Sequence, residues 1–236
     1  TEFRAMIAGK EQWEKEYGGA WDAIAAAKKK QAELFKPSVF RNLRGSRLAT
    51  NAVRIVQYVA EIQKPDGERL DGYHESELES FRFSLLSRAP VYPALEEFRL
   101  ADGFRESMEA LGADDPFVKT FIGGRTPEEV SRELISGTTL ADPDIRKALI
   151  EGGEKAVMES KDPLIVAALK LDPMAREIRK RLKEEVESVE AVAGERIGKA
   201  RFAVHGTSTY PDANFTLRLS YGTVTGYPMN GTIAPP

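Results

Sequence analysis

Apolar residues return at helical spacing along most of the chain. Trp13, Tyr17, Trp21, Ile24 and Ala27 follow at intervals of four, four, three and three, which lines one face of a helix within residues 2–35. Gly18-Gly19 predicts a break or kink in that run, because two glycines cost about 2 kcal/mol of helix propensity. Pro37 predicts its end. A second amphipathic helix carries Leu48, Ala52, Ile55, Val56, Val59 and Ile62 and stops at the turn Lys64-Pro65-Asp66-Gly67. After a polar linker through Gly72 comes a third, around Leu78, Phe81, Leu85 and Leu86. Residues 93–111 form a fourth, with Leu95, Phe98, Met108 and Leu111.

The middle third is punctuated by caps. Thr126-Pro127-Glu128-Glu129 supplies a capping hydroxyl, proline in the first helical position and a glutamate that completes a capping box. Asp142-Pro143, Asp162-Pro163 and Asp172-Pro173 repeat the cap-then-proline signal, and Asp115-Pro116 offers a further instance. Each such aspartate accepts backbone N–H bonds and complements the helix dipole, contributing about 1 kcal/mol. Short helices are therefore expected between 116 and 171, without the fixed period of a solenoid. From Met174 a long helix is expected on Ile178, Leu182, Val186, Val189 and Val192, with the charges from Arg176 to Glu187 on a solvated face.

After Gly206 the texture changes. Phe215 to Tyr221 alternates apolar and polar residues strictly, which reads as a half-buried strand. Gly222 suggests a bulge or tight bend, with Val224 to Tyr227 continuing the sheet. One or two strands do not make a sheet domain. The expectation is a chain cut from something longer, mainly α, with a C-terminal strand or hairpin.

Composition narrows the function. Of 236 residues, 34 are basic and 37 acidic, for a net charge of −3, so no basic excess exists to neutralise phosphates and nucleic-acid binding is not expected. No apolar stretch approaches the length of a spanning helix, so no membrane partner is expected either. With no cysteine, disulfides, thiol nucleophiles and cysteine-ligated zinc are excluded, and two histidines, His74 and His205, leave little for an imidazole metal cage.

The remaining candidates read more simply as structure. His205, Ser208 and Asp212 lie close in sequence, but a triad needs base, nucleophile and orienting group in mutual reach, and a polar loop entering a strand is the simpler account. His74, in the acidic stretch Asp71 to Glu79, reads as a solvated helix start rather than a metal ligand. Gly123-Gly124-Arg125 precedes a helix N-terminus, where anions can bind, yet its glycine spacing matches no phosphate loop and a plain turn is expected. Lys28-Lys29-Lys30 reads as cations at a helix end, and the Trp13, Tyr17 and Trp21 face as core rather than ligand groove. Asn214-Phe215-Thr216 and Asn230-Gly231-Thr232 match the glycosylation tripeptide, a pattern common by chance. No catalytic, cofactor-binding or metal residue is assigned.

The stretch Tyr210-Pro211-Asp212-Ala213-Asn214-Phe215-Thr216-Leu217-Arg218-Leu219-Ser220-Tyr221-Gly222-Thr223-Val224-Thr225-Gly226-Tyr227 resembles a signature segment of bacterial dipeptidyl-peptidases 7 and 11, and Asn230 to Pro236 fits the same family. Ser160-Lys161-Asp162-Pro163 with its flanking helices, and Glu14 to Ile24, are similar to that family's helical region. The resemblance implies a secreted or periplasmic serine aminopeptidase that removes dipeptides from free peptide N-termini with a Ser-His-Asp triad and no metal. It implies a chymotrypsin-like double β-barrel, a large inserted helical domain capping the cleft, and a possible homodimer. The family's nucleophile lies in a Gly-Asn-Ser-Gly segment, which this sequence does not contain, and its catalytic His and Asp precede the helical domain. No catalytic residue is therefore carried over.

Two regions follow as expectations: residues 1–204 as helical cap and 205–236 as the start of the C-terminal barrel, the chain being inactive alone. Its partners would be peptides with a free N-terminus, through the parent enzyme, and the rest of the parent chain. The rival expectation is a non-catalytic helical module for protein interaction or ligand binding.

Overall fold

The computed structural model describes residues 2–206, 219 and 221–234. Helices dominate it. An N-terminal pair, α1 (Glu2–Ala8) and α2 (Glu11–Trp13), runs through a π-helical turn at Glu14–Gly18 into α3 (Ala20–Phe40). Then follow α4 (Arg47–Glu61), α5 (Leu78–Leu85), α6 (Pro93–Leu111), α7 (Pro116–Phe121), α8 (Pro127–Gly137) and α9 (Pro143–Met158). The last long run is α10 (Pro163–Leu182), a second π-helical turn at Lys183–Glu187, and α11 (Ser188–His205).

The main core gathers on α4, whose Leu48, Ala52, Ile55, Val56 and Val59 are all buried. The helix packs against α10 on one side and α9 on the other. Phe104 of α6 and Phe117 and Phe121 of α7 extend this core as a run of tilted rings. α3 packs along α11, Lys28 pairing with Glu190, and Phe3 of α1 stacks on His205 at the end of α11. Their far end holds a second, smaller cluster of Ile7, Tyr17 and Ala200, flanked by Phe3, Trp13 and Trp21. The expected aromatic face is thus core, packed on the last helix.

Caps form where local sequence puts them. The Thr126 hydroxyl accepts from the Glu129 N–H while the Glu129 carboxylate accepts from the Thr126 N–H. Asp115, Asp142 and Asp162 each accept from the N–H two residues on. Asp115 also receives three bonds from the Arg41 guanidinium, fastening the end of α3 to the start of α7.

Two helix boundaries differ from expectation. α3 continues past Pro37 to Phe40, since a proline near a helix end removes one bond and the following N–H, of Arg41, still reaches the Pro37 carbonyl. Lys28-Lys29-Lys30 accordingly sits in mid-helix, where Lys28 pairs with Glu190 and Lys30 with Glu33. Asp172-Pro173 starts no helix and lies inside α10, because Arg176 draws the Asp172 carboxylate sideways at 2.6 Å. The long helix begins at Pro163, not Met174.

Two exposed faces were also misplaced by periodicity alone. On α6 the buried positions are Leu100, Ala101, Phe104 and the polar Glu96, while Leu95 and Phe98 face solvent. Glu96 turns inward because it serves the start of α4, accepting from the Ser46 hydroxyl at 2.7 Å and the Leu48 N–H at 3.0 Å. Arg176 leaves the solvated face to reach Glu61, which is fully buried at the end of α4. Glu61 also holds Lys64 and the Leu70 N–H. Burial pushes its carboxyl up, but the bonds from Lys64, Arg176 and Leu70 outweigh that and hold it below the usual value.

Of the expected strand Phe215 to Tyr221, residues 215–218 and 220 lie outside the described residues, and Leu219 and Tyr221 have no regular structure. The residues from Val224 to Gly226 do not extend a sheet. What forms is a hairpin, β1 (Tyr227–Met229) antiparallel to β2 (Thr232–Ala234), with Met229 opposite Thr232. Asn230 and Gly231 both have positive φ, 49° and 79°, the requirement of the tight turn whose twist matches the strands. Tyr227 and Ile233 remain exposed.

Candidate functional site

The residues weighed for chemistry are engaged in structure. His205 ends α11 with its ring stacked on Phe3, centroids 6.1 Å apart, while Ser208 and Asp212 lie outside the described residues. His74 precedes a 3-10 turn at Glu75–Glu77, its Nδ1 2.9 Å from the Asp66 carbonyl oxygen. The Glu77 carboxylate accepts from the N–H groups of Gly72 and His74, and Asp66 accepts from the Glu75 N–H. The sequence suggested a solvated helix start here, and the structure shows a helix start that is also capped. Among the described residues no three His, Asp or Glu side chains gather as metal ligands. Gly123 and Gly124 make a left-handed turn, and Arg125 donates back to the Phe121 and Ile122 carbonyls, closing the end of α7. Of the glycosylation tripeptides, Asn214-Phe215-Thr216 lies outside the described residues and Asn230-Gly231-Thr232 forms the hairpin turn.

One concave feature was not anticipated from sequence. A cavity of about 810 Å³ lies between α4, α5 and α9, lined by Arg47, Arg54, Arg82, Arg88 and Arg146 with Asn51 and Phe83. Its volume falls in the range of ligand pockets. Arg146 is buried and donates to the carbonyls of Leu85, Ser87, Leu140 and Ala141, so it pins the end of α5 to the start of α9. Arg54 lies over the Phe81 ring, 4.5 Å from its centroid, and donates to the Ser84 hydroxyl. Arg82 donates to the Tyr58 hydroxyl, which stands in the core beneath it. Arg47 donates to the Ala89 and Pro90 carbonyls of the α5–α6 connection.

Burial pushes the guanidinium of Arg54 below its ordinary value. Burial does the same to Arg146, and Arg47 beside it adds like-charge repulsion. Nearby, burial raises the Tyr73 phenol to about 12, and its hydroxyl donates to Gln57 at 2.9 Å. These arginines come from positions up to 99 apart in the chain (Arg47 to Arg146), and none belongs to a basic run. The one sequence signal was their placement, with Arg47 and Arg54 seven apart on one helix and Arg82 and Arg88 flanking the end of another.

Comparison with known proteins bears on the whole chain. Over 216 residues it is 28% identical to the Asp/Glu-specific dipeptidyl-peptidase of Shewanella putrefaciens, an alignment covering 84% of this chain and 28% of that protein. The chain thus spans under a third of that relative's length. Among the described residues no helix is long and apolar enough to cross a membrane. Residues 1–236 match peptidase S46 throughout. A match of that extent, on a helical body ending in a hairpin, places the chain in the peptidase S46 family.

Proposed function

We propose that this chain is the helical cap of a serine-type dipeptidyl-peptidase that releases dipeptides from free peptide N-termini, joined at its C-terminal end to the catalytic β-barrel. The observation that carries the reading is the family match along the entire chain, combined with a body made of helices. The division is residues 1–204 for the cap and 205–236 for the first part of the barrel. The exposed hairpin supports it, since a two-stranded ribbon with Tyr227 and Ile233 in solvent buries too little to stand alone and gains by adding to a larger sheet.

The cap contributes by closure rather than by chemistry. A helical lid over a cleft excludes water and admits a chain end while refusing the middle of a polypeptide. On this reading the nucleophile belongs outside these residues, since no Gly-Asn-Ser-Gly segment occurs here, and its base and orienting carboxylate do too, since the family resemblance implies that they precede the helical domain. The chain by itself hydrolyses nothing. The intact enzyme acts in the periplasm or outside the cell, on peptides with a free amine. The acid preference in the name of the Shewanella relative belongs to that protein.

A fluorophosphonate probe tests the assignment on the intact protein. It should label one serine, in a tryptic peptide outside residues 1–236, and give no labelling of this chain when expressed alone. Labelling of any serine within residues 1–236 would overturn the cap reading. An intact protein that takes up no probe would favour the non-catalytic interaction module instead.

A further inference from the structure

The helical body keeps its apolar clusters in two places, with a slender connection between them. The main core lies among α4 to α10, and the cluster of Ile7, Tyr17 and Ala200 at the far end of α3 and α11. Between the two, Ala20, Ala27 and Leu34 of α3, Ile178 of α10, Val186 of the second π-helical turn and Ala193 of α11 are buried but belong to neither. Past Leu34 and Val186 the buried residues of this seam are alanines, which let two helices approach closely but bury little apolar area. Here α11 packs on α3 and on the two π-helical turns. One side of the ribbon is open: Val192 is 53% exposed, and with Ala20, Ala23, Val189 and Ala193 it lines a shallow groove of about 330 Å³.

Both helices of the ribbon are interrupted at one level. In α3, Pro37 has no N–H for the Glu33 carbonyl. In the facing run, the turn Lys183–Glu187 breaks the regular ladder, so that the Ser188 N–H and hydroxyl both go to the Lys183 carbonyl. The two interruptions meet, since this turn packs on α3, Glu185 acting on Lys30 and Arg181 on Glu33, while Leu182 and Ser38 line one cleft. On the main-core side both helices are fastened. Arg41 holds Asp115, the Phe40 carbonyl accepts from the Ser107 hydroxyl at 2.8 Å, and Leu164, Ile165, Ala168 and Leu171 of α10 lie in the core. Helices bend where a proline or a π-helical turn opens the ladder, and rigid bodies swing about a few such residues.

We infer that the protein is hinged here: the Glu33–Pro37 turn of α3 and the Lys183–Glu187 turn are its two pivots. The main core swings as one unit against the ribbon of α3 and α11, which leads toward the hairpin. That the swing serves closure rests on the cap reading. The bend itself is measured on the 236-residue chain without any hydrolysis, so either can fail without the other.

The chain has no cysteine, so introduced pairs take nitroxide labels specifically. Glu79→Cys on α5, Ser136→Cys on α8 and Arg201→Cys on α11 are exposed sites, combined in pairs for distance measurement by pulsed electron spin resonance. Arg201 lies about 23 Å along the helix from Val186, so a bend of about 20° moves it by about 8 Å. At least one pair containing Arg201 should show a distance distribution about 5 Å or more wider than the control pair of Glu79 and Ser136, both on the main core. A π-helical turn carries one residue more than an α-helical one, so deleting the exposed Glu184 restores the ladder with its faces kept and should narrow that distribution. Should the deletion unfold the chain, Pro37→Ala, which returns an N–H to Glu33, carries the same reading. Pairs with Arg201 as narrow as the control would overturn the hinge. So would a broad distribution that neither change narrows.

Discussion

Glu61 shows how one carboxylate can join distant parts of the chain. It is fully buried, and its two oxygens hold Lys64, Arg176 and the Leu70 N–H. Removing a partner from a buried pair costs about 3–5 kcal/mol, but Lys64 and Arg176 keep about a third of their surface, so Glu61→Gln should cost nearer 2 kcal/mol. Because the folded chain holds this carboxyl below its ordinary value, its contribution is complete above the unfolded value of about 4.3 and is lost as pH falls through the folded one. Thermal unfolding of both forms should therefore show a gap at pH 7 that closes below about pH 4. A gap independent of pH would contradict the role. Gly103 tests packing at the same scale. A Cβ there would lie 2.7 Å from the Arg44 carbonyl oxygen, whereas Gly198 in α11 has open space. Both gain about 1 kcal/mol of helix propensity as alanine. Only Gly103→Ala meets a rigid backbone, so it should destabilise by about 1–3 kcal/mol while Gly198→Ala stabilises. Urea melts of the two would separate these signs.

Helix ends show what could be read directly and what could not. The caps at Asp115, Thr126, Asp142 and Asp162 were legible because donor and acceptor lie within three residues, so sequence contains the whole interaction. Asp172-Pro173 has the same letters without the same structure, since Arg176 on the next turn competes for the carboxylate and α4 packs along that stretch of α10. The inward turn of Glu96 on α6 was hidden for a related reason: its partners, Ser46 and Leu48, lie about fifty residues away. The arginine cavity is assembled from three helices, and its local trace is no more than Arg47 and Arg54 seven apart on α4 with Arg82 and Arg88 about the end of α5. Pro173 is exposed and inside α10, where it leaves one carbonyl without its N–H. Pro173→Ala should restore that bond and stabilise by about 1–2 kcal/mol after the entropy returned to the unfolded chain. A lowered melting temperature would mean that the proline shapes the helix against α4.

At the scale of the molecule, the helical class and the terminal hairpin were visible from periodicity and texture, and the family from its signature segment and the match along the chain. Helical periodicity does not say which helices touch. The pairing of α3 with α11 and the central place of α4 depend on contacts between residues more than a hundred apart. Those contacts make residues 2–206 a connected body, with one main core and a smaller aromatic cluster at the far end of α3 and α11. A main core of that kind suits a lid, which must move as a unit over a cleft without supplying the reacting groups. The most direct test is hydrolysis of fluorogenic dipeptides, with free and with acetylated N-termini, by the intact protein and by this chain alone. The account predicts cleavage of the free form only, by the intact protein only. Cleavage by this chain alone, or equal cleavage of the acetylated form by the intact protein, would contradict it.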